Sequence, residues 1–305
     1  MKTLLMLAAA AAATPAPKPA LAPSEIVAAA PKGDWVAIPA SDLLVMDLAP
    51  DSNRPSTSSG LRRVVIQLMP SPFSQGWVGN IRKLAAARWW DGTSINRVQD
   101  NYVVQWGDAT EKKALPTDLV TIAENGYRAA PYHDGQSVIL RVRGPKDSYA
   151  DWAAIQIKGW PIAGNKRGWT WPVHCYGMVG VGRDMPPNTG TGAELYTVIG
   201  HAPRHLDRNI ALVGRVISGI EHLSSLPRGT GPLGFYEKPE ERTGITSIRI
   251  GTDIKDLPRF EYLSTESASF AAYADARANR RDPFFIRPAG GADICNIPVP
   301  VRVVK

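Results

Sequence analysis

Short strand-like segments separated by turn residues constrain the fold of this chain more than any other feature of its sequence. Residues 42–49 and 61–69 are apolar runs of this kind, and Pro50 and Gly60 between them predict a hairpin. Residues 245–250 alternate as a half-buried strand does. Because strands dominate, the pattern favours a mainly β protein with a closed antiparallel barrel capped by helices over a βαβ repeat.

Three segments are predicted to be helical. Within residues 75–88, apolar side chains recur at spacings of three and four. Residues 148–157 and 264–280 are the other two, and Ser264 or Thr265 is the expected N-cap of the last one.

The composition is that of an ordinary globular protein. The chain has 305 residues, of which 44% are hydrophobic and 21% charged, enough for one large domain or two small ones. The net charge of +7 comes from scattered Lys and Arg residues rather than from a run of like charges. The sequence therefore gives no support for a nucleic-acid-binding module.

The first 25 residues are predicted to be a signal peptide followed by an Ala/Pro-rich spacer. Lys2 supplies a positive charge, residues 4–13 are an uncharged apolar run with small residues at its end, and the prolines of 14–19 cannot continue a helix. A periplasmic or secreted protein is expected, and no later segment has the length of a membrane span. A tail without a role in export is the alternative.

The chain has two cysteines, Cys175 and Cys295. In an oxidising compartment they could form a disulfide closing a loop of about 120 residues, which loop-entropy models value at about 4–5 kcal/mol. Two free buried thiols are the alternative. Neither cysteine belongs to a Cys-x-x-Cys motif, so a redox active site is not indicated.

Residues 94–108 contain a recognisable motif. Ile-Asn-Arg-Val at 95–98, a three-residue turn, and Tyr-Val-Val-Gln-Trp-Gly-Asp at 102–108 resemble the cyclophilin signature. In that family the strands read Phe-His-Arg-Val and Phe-Met-Ile-Gln-Gly-Gly-Asp. Upstream, residues 63–68 and 80–84 are similar to its first strand and first helix, in the family's order.

Further pieces of the resemblance follow downstream. Residues 188–196 are similar to the family's Asn-Thr-Asn-Gly-Ser-Gln-Phe-Phe loop, with one residue inserted, and residues 205–216 to its Leu-Asp-Gly-Lys-His-Val-Val-Phe-Gly-Lys-Val segment. The resemblance implies a cyclophilin-like domain over 35–305 with a core at about 61–224.

The remaining parts of that domain are an insertion at 109–173 and a C-terminal extension at 225–305. We expect both to decorate one barrel rather than form a separate domain, because Cys175 has its only possible partner at Cys295.

The reaction implied is peptidyl-prolyl cis-trans isomerisation. Rotation about a peptide bond must break amide resonance, a barrier of about 18–20 kcal/mol, and no nucleophile, metal or proton transfer is needed. An apolar groove must hold the proline ring, and a fixed donor must favour the twisted amide. Arginine suits the donor role because its planar guanidinium is always charged.

The resemblance also implies site residues. Arg97 and Gln105 are the implied catalytic residues, Arg97 as the donor and Gln105 orienting the substrate. The implied substrate-binding residues are Tyr102, Val103, Glu194, Tyr196, His205 and Leu206. The alternatives are a surface salt-bridging arginine for Arg97 and ordinary core or barrel residues for Tyr102, Val103, Tyr196 and Leu206. No cofactor or metal is implied. The protein is expected to be a monomer, and its expected partners are proline-containing polypeptides.

The chain departs from the family at several site positions. His205 replaces Trp or Phe, Ile210 replaces His, Glu194 replaces Gln, Asn96 replaces His and Trp106 replaces Gly. These departures predict a reshaped proline pocket. Two hypotheses therefore remain, an active isomerase that assists folding of exported proteins, and a cyclophilin-shaped module that binds proline segments with little or no turnover.

Other chemistry has weaker support. His201 and His205 have the i, i+4 spacing of a metal pair, but Pro203 lies between them and no third ligand is near in sequence. The glycines of 177–182 lack a following Gly-Lys-Ser/Thr, and the chain has no Gly-x-Ser-x-Gly.

Overall fold

A computed structural model describes residues 19–50, 62–129, 147–155 and 157–304. The predicted signal segment at 1–13 lies outside these residues. Within them, no helix combines the length and the apolar character needed to cross a lipid bilayer.

Strands outnumber helices in the described part of the chain. The helices are α1 (Pro23–Ala29), α2 (Gln75–Ala86), α3 (Glu221–Ser224) and α4 (Ala268–Ala278). The strands are β1 (Trp35–Ile38), β2 (Leu43–Leu48), β3 (Arg62–Leu68), β4 (Ser94–Val98), β5 (Val103–Gly107), β6 (Trp152–Ile155), β7 (Pro161–Gly164), β8 (Thr170–Pro172), β9 (Met178–Val181), β10 (Leu195–Val198), β11 (Leu212–Ser218), β12 (Ile245–Ile250), β13 (Phe260–Leu263) and β14 (Val301–Val303).

Eight of these strands form one antiparallel sheet in the order β12-β2-β3-β11-β9-β10-β5-β4. The sheet curls until its two edges meet, where Ile95 N donates to the carbonyl of Thr243 (2.9 Å) and Ile245 N to that of Thr93 (2.8 Å). The predicted β2–β3 hairpin and the predicted antiparallel barrel are confirmed. β12 completes the barrel, so the barrel extends to residue 250 and not only to 224.

The barrel interior is filled by apolar side chains and covered by α2. Trp77 and Ile81 on α2 are fully buried, as are Trp90 and Trp106. Burial of such large side chains is the main source of stability in a core of this kind. The core therefore fixes the strands on whose outer face the site lies.

The insertion forms a small sheet of its own in the order β6-β7-β8. The helix predicted over 148–157 is wrong, because residues 152–155 pair with residues 161–164 as antiparallel strands. Ala153 and Ile162 belong to the same apolar core as the barrel. Long-range pairing has overridden the helix propensity of the alanines in this short segment.

The two ends of the described chain come together. β1 pairs with β13, which pairs with β14, and α4 packs beside them. Helix α4 is shorter than predicted and is capped by Ser267, whose Oγ accepts from Phe270 N (3.0 Å). Cys175 and Cys295 form a disulfide that ties these elements to the barrel strands.

Candidate active site

The site is built on the hairpin of β4 and β5. The register places Ile95 opposite Trp106 but Arg97 opposite Gln105, so Asn96 is an extra residue in a β-bulge. Because side chains alternate across a strand, the bulge turns Arg97 to the outer face beside Gln105, while Ile95 and Trp106 remain in the core.

The guanidinium of Arg97 is held by neutral oxygen atoms. Its Nε donates to the carbonyl of Leu233 (2.7 Å) and its Nη1 to Gln105 Oε1 (3.3 Å). Its Nη2 donates to Gln99 Oε1. In the described residues Arg97 has no carboxylate partner, and partial burial lowers its pKa from the ordinary value.

Two aromatic rings flank the same guanidinium. The Arg97 Cζ atom lies 5.7 Å from the ring centroid of Tyr102 and 5.3 Å from that of Phe235. Each cation–π contact of this kind stabilises an exposed cation by about 0.5–1 kcal/mol and a desolvated cation by more. The side chain is thus positioned on both sides without being neutralised.

Glu194 lies on the other side of Gln105. Its carboxylate accepts from Asp108 N (2.8 Å) and is hydrogen-bonded to the Gln105 side chain. Burial raises the pKa of Glu194 to about 7. It also fills the space above Gly107, where an added Cβ would lie 1.8 Å from Glu194 Oε1. Arg97, Gln105 and Glu194 therefore form one hydrogen-bonded row.

An apolar cluster on the outer face of the barrel lies next to this row. It consists of buried Val103, Tyr196 and Val198, with Tyr102 and Ile210 packed partly buried against them. The cluster is separate from the barrel core and continuous with Arg97 through Tyr102. Ile210, which stands where the family has His, extends the apolar surface.

Tyr196 forms the floor of this surface rather than an open wall. It is only 4% exposed, and an added Cβ on Gly180 would lie 2.3 Å from its hydroxyl. The hydroxyl lies 2.9 Å from His174 Nε2, and burial raises the pKa of Tyr196. The Tyr196 ring is therefore fixed by packing beneath and by a hydrogen bond at its hydroxyl.

A buried polar chain supports Tyr196 from behind. His174 Nδ1 lies 2.8 Å from Asp207 Oδ1, and burial lowers the pKa of His174, which favours the neutral ring. Since Asp207 can only accept, Nδ1 donates to it and Nε2 accepts from Tyr196. Arg204 then links Asp207 (2.7 Å) to Asp147 (2.9 Å) at the edge of the insertion. Sequence reasoning missed this chain, because His174 lies 33 residues before Asp207 and Asp147 lies 57 residues before Arg204.

The last two predicted residues lie at the rim. His205 is exposed and stacks on Tyr102, with ring centroids 6.4 Å apart and planes 12° apart. Leu206 is half-buried in the 3₁₀ turn Arg204–Leu206. Among the residues that the structure describes, it is not a member of the apolar cluster. The structure thus brings together Arg97, Gln105, Glu194 and the tyrosines, with His205 above Tyr102.

Two of the departures from the family act away from the pocket. Trp106 points into the barrel core, where it is fully buried, and Asn96 sits buried in the bulge. A cavity of about 450 Å³ elsewhere is lined by residues such as Met178, Arg215 and Cys295, none of which is a predicted site residue.

Comparisons with known proteins agree with the barrel fold. Residues 56–250 match the family described as cyclophilin type peptidyl-prolyl cis-trans isomerase. Cyclophilin AquaCyp293 from Hirschia baltica has a similar fold, with a TM-score of 0.65 and 20% identity over 89% of this chain and 94% of that one.

A cyclophilin type isomerase from Cryptosporidium parvum, solved in the presence of the dipeptide Ala-Pro, gives a TM-score of 0.36 at 15% identity, over 62% of this chain and 92% of that one. Among curated proteins no relative was found. Since the family match covers well over half of the chain and the eight-stranded barrel agrees with it, the chain belongs to the cyclophilin-type peptidyl-prolyl cis-trans isomerases.

Proposed function

We propose that Arg97 is the catalytic residue of this isomerase and that Gln105 orients both Arg97 and the substrate. The observation that carries the proposal is an arginine fixed beside an exposed edge of an apolar cluster, with no carboxylate neutralising it in the described residues. A donor fixed before the reaction stabilises a transition state more than a mobile one does, because nothing must reorganise.

The guanidinium retains donors for the substrate. Its three hydrogen bonds to Leu233, Gln105 and Gln99 use three of the five N–H groups of an arginine. The other two can bond to the carbonyl of the client or to the amide nitrogen, which regains a lone pair as the peptide bond twists. Because the ground-state nitrogen is planar and conjugated, this interaction strengthens only on the way to the transition state.

The apolar cluster supplies the binding surface. Tyr102 offers a half-buried ring, and Val103 with Tyr196 lies beneath it. His205, stacked on Tyr102, places a smaller, polar ring at the rim where the family has a larger one. We infer that a proline ring lies on this surface with its imide bond toward Arg97.

The test is the isomerase activity of the purified protein on a chromogenic X-Pro peptide. Arg97→Ala should lower kcat/KM by about a hundredfold or more, the cost of removing one preorganised donor at a site of developing charge. Circular dichroism should stay unchanged and the thermal midpoint should shift by only a few degrees, because Arg97 is half exposed and its acceptors can bond to water instead. Full activity in Arg97→Ala would refute this mechanism.

The buried floor of the pocket favours a second candidate function, a proline-binding module with little turnover. Tyr196 leaves less depth for a ring than an open pocket would. Peptide titration by NMR together with the activity assay separates the two. Binding to wild-type protein without measurable catalysis would identify the module.

We also propose that the clients are exported proteins. The predicted signal peptide at 1–25 supports this, as does the Cys175–Cys295 disulfide, since such bonds persist in oxidising compartments. Folding of exported chains can wait tens of seconds on proline bonds. Fractionation of a bacterial host that expresses the full chain should find the processed protein, disulfide intact by non-reducing mass mapping, outside the cytoplasm. A cytoplasmic protein with two free thiols would contradict the proposal.

A further inference from the structure

One segment of the chain lies against Arg97 on the side away from the apolar cluster. We call residues 227–236 the extension loop. Gly229 N donates to the carbonyl of Val98 (3.0 Å) and Tyr236 N to that of Asn96 (3.0 Å), so the loop is bonded to the residues of β4 that directly precede and follow Arg97. It is therefore part of the site wall.

The loop has a backbone shape that needs explaining. Leu233 has φ +57°, a left-handed conformation that costs a non-glycine residue of order 1 kcal/mol or more. This conformation directs the Leu233 carbonyl to Arg97 Nε at 2.7 Å. Gly234 follows with φ +81°, and an added Cβ there would lie 2.7 Å from Gln99 Cα, so the loop is docked closely.

The same conformation leaves apolar side chains in solvent beside the guanidinium. Leu233 is 66% exposed and Phe235 is 39% exposed, although Phe235 also packs its ring 5.3 Å from Arg97 Cζ. Isolated exposed apolar residues are common and need no explanation. Two of them on a strained loop in contact with a catalytic arginine do need one.

We propose that Leu233 and Phe235 form a specificity subsite for an apolar or aromatic side chain of the client polypeptide, at a residue adjacent to the isomerising proline. This inference rests on the proposed catalytic role of Arg97. β5, which directly follows Tyr102, pairs with one edge of β4, and Phe235 pairs with the other edge at Arg97, so a chain whose proline ring lies on the Tyr102 side can continue past Arg97 to the loop.

The charges near the loop fit an apolar occupant. The Nε donor of Arg97 that faces the loop is used by the Leu233 carbonyl, and the loop's own cation, Arg228, is paired with Asp100 Oδ1 (2.9 Å). Burying an apolar client side chain against Leu233 and Phe235 removes apolar surface from water on both molecules. A polar residue or glycine at that position of the client would remove much less apolar surface from water.

The experiment compares kcat/KM for two peptide series, one with Gly, Ala, Leu or Phe before the proline and one with the same residues after it. In at least one series the wild-type protein should prefer Leu or Phe over Gly by about tenfold, the scale of a small apolar contact in a binding site. Leu233→Asn and Phe235→Ala should bring that ratio close to one. Asparagine tolerates the left-handed conformation, so Leu233→Asn tests the side chain with little backbone disturbance.

The matched control is Ile286→Asn, which changes an aliphatic side chain that is 94% exposed and outside the site. It should leave every ratio unchanged. If Leu233→Asn and Phe235→Ala leave the ratios unchanged in both series, the subsite is overturned. Wild-type turnover that falls strongly in Arg97→Ala would still uphold the proposed function.

Should no peptide be turned over by any protein, the proposed catalysis fails on its own. Dissociation constants from NMR titration of the same peptides then decide the subsite. A preference for Leu or Phe that Leu233→Asn removes supports it, and equal affinities overturn it.

Discussion

Two arginines on the outer face of the barrel make the same kind of contacts in different surroundings. Arg97 on β4 is held by carbonyl and amide oxygens and flanked by Tyr102 and Phe235. Arg215 on β11 is also held by an amide oxygen and a carbonyl, of Gln67 and Gly159.

Rings flank the second arginine as well, with the Arg215 Cζ atom 4.5 Å from the ring of Trp160 and 6.0 Å from that of Tyr262. Neither arginine has a salt-bridge partner within the described ranges. The difference between them is access to water. Arg215 is buried beneath the insertion and β13, and burial lowers its pKa to about 10, whereas Arg97 stays half exposed at the apolar cluster.

The comparison teaches that neutral acceptors and aromatic faces can position a guanidinium without cancelling its charge. A carboxylate would fix an arginine more strongly but would compete with a client for its donors. On the outer face of β4, where Arg97 is half exposed, this leaves its remaining N–H donors free for the client in the mechanism proposed above. Under the insertion the same arrangement joins Arg215 to several structural elements.

The largest expected effect comes from replacing Arg97 by lysine. Arg97→Lys keeps the positive charge but loses the planar fork that contacts Leu233 and Gln105 together, so kcat/KM on an X-Pro peptide should fall by about a hundredfold. The free energy of unfolding in urea should change by less than about 0.5 kcal/mol. Arg281→Lys, at an exposed pair with Asp275, is the control and should alter neither quantity. Retained activity in Arg97→Lys would show that charge alone suffices and that the held geometry is irrelevant.

The next effect concerns Arg215 and should be one of stability. Arg215→Ala leaves the oxygens of Gln67 and Gly159 without their donor and opens a void next to Trp160, so the free energy of unfolding should fall by about 2–4 kcal/mol. Urea denaturation followed by tryptophan fluorescence measures it. Isomerase activity at low temperature, where the variant is folded, should be near that of the wild type.

Arg281→Ala provides the stability control, because exposed ion pairs are worth about 0–1 kcal/mol. If folded Arg215→Ala loses more activity than its lower stability explains, Arg215 also contributes to catalysis. The distinction drawn here between the two arginines would then be wrong.

Much of this comparison could not be predicted from the sequence. The Ile-Asn-Arg-Val and Tyr-Val-Val-Gln segments predict the two strands of the β4–β5 hairpin, because the hairpin is local in sequence. The bulge at Asn96 was not predicted, since a one-residue register shift leaves no signature in a strand pattern. The contact between Leu233 and Arg97 joins residues 136 positions apart. Such long-range packing depends on the completed fold.

The departures from the family show the same limit. Trp106 in place of Gly was expected to reshape the pocket, but it points into the barrel because its position in the strand faces inward. Tyr196 stands where the family has Phe, and residue type alone did not predict that its hydroxyl is hydrogen-bonded to His174 beneath the apolar cluster. Residue type predicts whether a position suits an apolar pocket, whereas the strand register decides which face of the sheet the side chain lies on.

The smallest expected effect concerns Glu194, the carboxylate at the far end of the row that contains Arg97. Its folded-state pKa of about 7 lies above the ordinary value of 4.5, so the folded protein binds the proton more tightly than the unfolded chain. Stability from this group is complete below about pH 4.5 and is lost as the pH rises through 7. Because the side chain is partly solvated, we expect a loss of about 1 kcal/mol between pH 5 and pH 8.

Glu194→Gln should remove this pH dependence, because glutamine can keep an acceptor for Asp108 N without an ionisable group. The variant should match the wild type at pH 4.5 and exceed its unfolding free energy at pH 8, measured in urea at both pH values. Asp108 and Glu111 also act on the pKa of Glu194, so Glu111→Gln is the control and should shift the midpoint of the dependence only slightly. If Glu194→Gln retains the full wild-type slope, the carboxylate is ionised throughout this range. Glu194 would then carry a permanent negative charge next to Gln105. In that case Gln105, which orients Arg97, would be hydrogen-bonded to a charged carboxylate rather than to a neutral carboxyl group.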